Sequence, residues 1–240
     1  MASMRKNPNI ARGAQRTYTA QLARLAKNIG SMINDINPAE PEAASMINTM
    51  LTKYAEALDG WARRIALRMV EDVNARDLAT WRNASAELSQ GIKREILLAP
   101  QTSLIKKLVD LQVQLIKSIP IEAAQRVNKL ALEAVQDGAR ASTLIAEIMR
   151  SGEVSASRAM LIARTEVSRT SATLSQSRAL SVGSTGYIWR TSRDGDVRPS
   201  HKAMQGKFVA WGAPPTLDGM QGHAGCLPNC RCWAEIVLPD

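Results

Sequence analysis

A chain of 240 residues, 45% hydrophobic but only 4% aromatic, is long enough to bury a core and poor in the large side chains that sheet-on-sheet folds favour. Its apolar residues before position 185 are mainly Ala, Leu, Ile, Val and Met, which suits helix packed on helix, and no run of about 18 apolar residues offers a membrane span. The formal net charge of +9 is densest at the start, where Arg5, Lys6, Arg12, Arg16, Arg24 and Lys27 precede the first acidic residue; such an arm suits nucleic-acid phosphates, and equally a solubilising tail.

The opening Met-Ala-Ser-Met-Arg-Lys-Asn-Pro has no apolar core of a secretory leader, so synthesis in the cytoplasm is expected, with the first dozen residues mobile. Leu22, Leu25, Ile29, Met32 and Ile33 recur at three-and-four spacing and predict a helix over about 14–34. Asn37-Pro38-Ala-Glu40-Pro41-Glu42 is a helix-start signal, with a candidate cap, proline for the first turn and acids against the helix dipole. The helix it opens is expected to reach Gly60 or Val73, with Met46, Met50, Ala57 and Trp61 along one face. Another is expected over about 75–99, softened at Gly91 and ended by Pro100.

Leu104, Leu108, Leu111 and Leu115 then form an apolar stripe flanked by Ile105, Val109, Ile116 and Ile119, a face wide enough to require a partner helix. Pro120 is expected to break it, and a further helix from Ile121 to about Val135 to end at Asp137-Gly138. Ser142 is a candidate cap for a short helix closed by Ser151-Gly152, and Ser155 for a last one over about 156–181, ended by Gly183-Ser-Thr-Gly186. Tyr187–Thr191, Phe208–Trp211 and Cys232–Leu238 are short strand candidates among turn-rich segments. The expected fold is mainly α: an extended helical N-terminal region, then a small α+β C-terminal module of short strands and irregular loops. The expected division is 1–36 for the basic arm and first helix, 37–154 for the helical region and 155–240 for the module.

All three cysteines and both histidines fall in the last 40 residues. Cys226, Cys230 and Cys232 with His201, or with His223 in its place, could fill a tetrahedral zinc site of the kind that holds small irregular folds together. In Cys230-Arg231-Cys232 an extended backbone turns both thiols to one side and Arg231 with Trp233 to the other. A disulfide with one odd thiol, formed after release into an oxidising exterior, and three unlinked buried thiols are the competing readings. Asp194, Asp196, Arg198 and His201 could alternatively serve a metal-dependent hydrolytic or toxin-like site. No second histidine at ligand spacing, phosphate loop or nucleophile elbow supports catalysis, and the expectation is a protein that is not an enzyme.

From Arg158 to Leu238 the chain resembles the phage Mu F-like minor head, or head morphogenesis, family. The resemblance rests on Ile162-Ala-Arg164-Thr165-Glu166, Gly186, Trp189 and Thr191, Asp194-x-x-Val197-Arg198-x-x-His201, Gly206, a Pro-Pro pair and Cys230-Arg231-Cys232. Many members carry a cysteine pair where this chain has Arg198 and His201, so that His201 with Cys226 would complete a zinc site here. The resemblance implies a virion component inside the capsid, present in few copies, associated with the portal or major capsid protein and needed for head assembly or DNA delivery. It implies structural roles for Arg164, Thr165, Glu166, Trp189, Asp194, Arg198 and Gly206. Some relatives bind DNA and some carry the module fused to toxins; contact with packaged DNA, indifferent to sequence, and self-association are the partner expectations for this chain.

Overall fold

The computed structural model describes residues 11–37, 40, 42–84, 101–137 and 141–239. Helices dominate: α1 (Arg12–Asn34), α2 (Ala43–Ala57), α3 (Asp59–Ala84), α4 (Thr102–Asp137), α5 (Ala141–Met149), α6 (Ser151–Ser181) and the single turn α7 (Pro199–Lys202). The strands β1 (Gly186–Arg190), β2 (Phe208–Ala210), β3 (Thr216–Leu217), β4 (Met220–Gln221) and β5 (Trp233–Val237) all lie in the C-terminal part. The mainly α fold with a small α+β C-terminal region is therefore as expected. No described helix is long and apolar enough to cross a membrane.

The chain divides into two compact units, one of Arg16–Leu67 with Val109–Ala163, the other of Met1–Gln15, Arg68–Leu108 and Arg164–Asp240. In the first, the predicted stripe of α1 is buried at Leu22, Leu25, Ile29 and Ile33, and Tyr18 Oη donates to Gln112 Oε1 at 3.0 Å. The buried face of α2 is Ala43, Ile47, Leu51 and Ala55, whereas Met46 is 46% exposed, Ala57 is exposed and Met50 and Trp61 are only half-buried. The stripe expected through Met46, Met50, Ala57 and Trp61 is thus corrected. The helix begins at Ala43 after an N-cap, Glu42, with no side-chain cap bond, so Asn37 is not the cap; Pro38 and Pro41 lie outside the described residues.

In α4 the buried row is Leu108, Val109, Gln112, Val113, Ile116 and Ile119, with Leu111 turned outward. The expected break at Pro120 does not occur. A proline inside a helix costs about 3 kcal/mol, but Ile116, Ile119, Ala123, Ala124 and Val127 are buried on both sides of it, and their shared burial outweighs the missing bond. Ser151-Gly152 likewise opens α6 and does not close the preceding helix, which starts at Ala141 with Ser142 in its first turn. Gly152 is needed for proximity: a Cβ there would lie 3.0 Å from Gly30 Cα. The stops expected at Gly91, Pro100 and Gly138 lie outside the described residues.

In the other unit α6 ends as predicted. Ser184 N–H donates to Ala179 O (2.9 Å) and Gly183 N–H to Leu180 O (3.1 Å), the paired bonds of a Schellman cap. The chain then enters an antiparallel sheet of order β2-β1-β5. Gly186 opens β1 where a Cβ would fall 2.4 Å from Val209 O. Trp81 and Ala179 from the helices join Tyr187, Trp189, Val209, Trp211, Leu227, Cys230, Cys232 and Ile236 in one core. Beside it runs a buried polar chain: Trp81 Nε1 donates to Ser175 Oγ (3.2 Å), Ser175 to Asp77 Oδ1 (2.8 Å), and Arg178 bonds Asp77 and Asn74. Burial pushes the Asp77 carboxyl up to about 6, against the pull of Arg178 and Ser175.

Candidate metal centre

Sheet register brings the candidate ligands together. Arg190 at the end of β1 pairs with Trp233 at the start of β5, so Cys232 arrives where the chain leaves β1 for α7. Gln205 Oε1 accepts from both Thr191 N and Thr191 Oγ1 at 2.8 Å, closing the segment that carries α7. Gly206, in left-handed backbone, donates its N–H to Trp189 O at 2.8 Å and starts the return into β2. Pro199 at the first position of α7 fixes the turn on which His201 is buried.

The loop from Cys226 to Cys232 is gripped through its backbone from two directions. On α6, Thr165 Oγ1 accepts from Asn229 N–H (3.1 Å), Ser168 Oγ donates to Cys230 O (3.3 Å) and Arg169 Nε donates to Cys226 O (3.0 Å). Buried Glu166 holds Arg169 Nη1 at 2.7 Å. From the other direction Arg198 donates to Pro228 O, and Arg231 pairs with Asp194 (2.8 Å) and Asp196 (3.1 Å). The residues singled out as Thr165-Glu166 and Asp194-x-x-x-Arg198 are therefore the clamps of one loop; Arg164 is exposed on α6 and Trp189 is fully buried in the core.

Inside the clamps His201, Cys230 and Cys232 come together, all buried, with one ligating atom from each lying within 4.8 Å of the others. His201 Nδ1 stands 3.5 Å from each sulfur. Trp189 packs edge-on against the imidazole with ring centroids 5.7 Å apart. On the far side of the ring Asp218 Oδ2, in the turn between β3 and β4, is 3.9 Å from Nε2. The two thiols share one hydrogen bond, which lowers the pKa of Cys230 and, with burial, raises that of Cys232; the pair sheds one proton readily and resists the second.

Cys226 and His223 stand apart from this trio. Cys226 keeps its proton, burial pushing the thiol up to about 11. His223 packs against Tyr187 and Trp211, its Nδ1 is 3.3 Å from Tyr187 Oη, and burial holds it below the ordinary histidine value. No disulfide joins the three cysteines. Asp194 is engaged with Arg231, and the carboxylate near His201 is Asp218, whose Oδ2 also accepts from Arg198 Nη1 at 3.4 Å. Asp218 was not among the expected site residues; Asp218-Gly219 between apolar residues is a hairpin-turn signal that could have placed it in a tight turn, though not beside His201.

Of the basic residues, Arg5 and Lys6 lie outside the described set. Arg12, Arg16, Arg24 and Lys27 are exposed along α1, and the helical repeat keeps them within about a third of its circumference.

Residues 125–235 match the family described as Phage Mu protein F like protein. An uncharacterized protein of Haemophilus influenzae is 35% identical over 128 residues, which cover 53% of this chain and 28% of that protein. The chain thus spans little more than a quarter of that relative's length. No solved structure matches.

Proposed function

We propose, from the premise that residues 125–235 are a Phage Mu protein F like module, that the chain is a minor head morphogenesis protein of a tailed phage. The observation that carries this reading lies inside the matched segment, where Thr165, Ser168 and Arg169 of α6 grip the loop that presents Cys230 and Cys232. A side-chain clamp on main-chain groups fixes the shape of the loop, which suits a structural role.

Within that role the chain sits in the capsid interior, docked on portal or major capsid protein, and its α1 touches packaged DNA. The support for the last point is an acid-free helix with exposed Arg12, Arg16, Arg24 and Lys27. Binding of this kind carries no base readout and weakens with salt by counterion release.

Quantitative mass spectrometry of purified particles tests the assignment; a few copies per head are expected, and full absence from infectious particles would sink it. The DNA-binding role is tested apart from it by duplex retardation at two salt concentrations. Replacing Arg16, Arg24 and Lys27 with Ala should lower the log–log salt slope by about 3, at roughly 0.9 for each phosphate no longer neutralised. An unchanged slope would leave α1 as a solubilising surface.

A further inference from the structure

We infer that His201 Nδ1 and the sulfurs of Cys230 and Cys232 form a zinc site with three protein ligands, an exchangeable fourth position, and Asp218 as the positioning residue behind the imidazole. Geometry carries this independently of the head-protein reading. Bonds of about 2.0 Å to nitrogen and 2.3 Å to sulfur, opened to a tetrahedral angle, set those two atoms about 3.5 Å apart. Both nitrogen–sulfur separations are 3.5 Å. Two edges of the required tetrahedron are therefore already built, by buried groups whose loop is clamped through its backbone.

The other imidazole nitrogen fits the same assignment. His201 Nε2 is buried and makes no hydrogen bond, and Asp218 Oδ2 is 3.9 Å from it. A metal-bound histidine generally turns its second nitrogen to a carboxylate, which selects the tautomer and aims the ring. Here that arrangement requires a proton on Nε2 and leaves Nδ1 as the ligand.

Among the described residues no side chain joins the trio as a fourth ligand. A cavity of about 20 Å³ adjoins the trio and is lined also by Arg198, Asn229 and Arg231, room for about one water molecule. Asp196 borders it but is 86% exposed and paired with Arg231. Cys226, which a closed four-ligand site would use, is not in the cluster. Two thiolates neutralise the ion, and the size of the cavity suits water or a small anion as the fourth ligand.

The test is cobalt substitution of the full chain under reducing conditions, with absorption spectroscopy and azide as the probe of the fourth position. One Co²⁺ per chain with sulfur-to-cobalt charge-transfer bands is expected. The bands should persist in Cys226→Ser and His223→Gln, vanish in Cys230→Ser, and shift on adding azide. Asp218→Asn should raise the Co²⁺ Kd by about 10- to 100-fold, with the melting temperature of the metal-free protein falling by no more than the loss of one part-exposed ion pair, to Arg198, allows. Absence of the bands overturns the site; weaker bands in Cys226→Ser overturn the ligand set. Indifference to azide overturns the open position, and an unchanged Kd in Asp218→Asn overturns its role. Cys226→Ser and Asp218→Asn keep the proposal falsifiable should Cys230→Ser fail to fold.

Discussion

The two units are stabilised in different ways. The unit of Arg16–Leu67 and Val109–Ala163 rests on rows of interchangeable aliphatic side chains: Leu22, Ile29, Ile47, Leu51, Ile116 and Val127 are all fully buried, and Tyr18 with Gln112 forms a long-range polar bond among them. The unit that carries the cysteines has an aromatic-rich core of its own and adds to it single groups with single partners. Thr165, Ser168, Arg169 and Arg198 each hold one backbone atom of one loop, and Asp77 with Arg178 forms a buried ion pair. Distributed packing tolerates substitution at its margins, whereas a clamp loosens locally when one member is removed.

The largest effect expected is in the aliphatic unit. Ile116→Asp places a charge at a site with no exposure and no partner, and should lower unfolding free energy by about 5 kcal/mol. Leu111→Asp, five residues earlier in the same helix but 37% exposed, should cost no more than about 0.5 kcal/mol. Chemical denaturation of the two variants checks whether burial, and not apolarity of the residue, defines the row.

Next in size is the other unit's ion pair. Asp77→Ala leaves the guanidinium of Arg178, only 3% exposed, without its counter-ion, at a cost of about 3–5 kcal/mol. The same carboxyl carries a pH signature. Its folded pKa of about 6 exceeds the ordinary value of 3.8, so between those values the folded state binds the extra proton. Its contribution to stability is greatest below that window and falls as pH rises through it. Melting curves from pH 4 to 6.5 should show this fall in the wild type and a shallower one in Asp77→Asn.

Smaller still is Thr165→Val, which removes the acceptor of Asn229 N–H and should cost about 1 kcal/mol. Alkylation of the buried Cys230 and Cys232 should quicken in that variant even where the overall melting temperature hardly moves.

The same contrast explains what was legible in the sequence. Periodicity located α1, the glycines at 183 and 186 marked the end of α6, and the aromatic and β-branched runs at Tyr187, Phe208 and Trp233 marked the three strands of the main sheet. Rules for breakers failed at Pro120 and Gly152, where long-range burial and the approach of Gly30 outweigh local preference. Cys230 and Cys232 were readable as a pair because alternation in extended chain puts both on one side. The choice of His201 over His223 was not readable, because it depends on the register of β1 against β5. Asp218 was invisible for the same reason: a carboxylate 17 residues along the chain from His201 meets it only through the fold.

The claim that a few side-chain hooks shape the cysteine loop is tested most directly by amide hydrogen exchange at Asn229 in wild type and Thr165→Val. Loss of protection confined to Asn229 and its neighbours in the loop, with Leu51 and Ile116 unaffected, is the predicted result. Unchanged protection at Asn229, or an equal loss at Leu51 and Ile116, would contradict it.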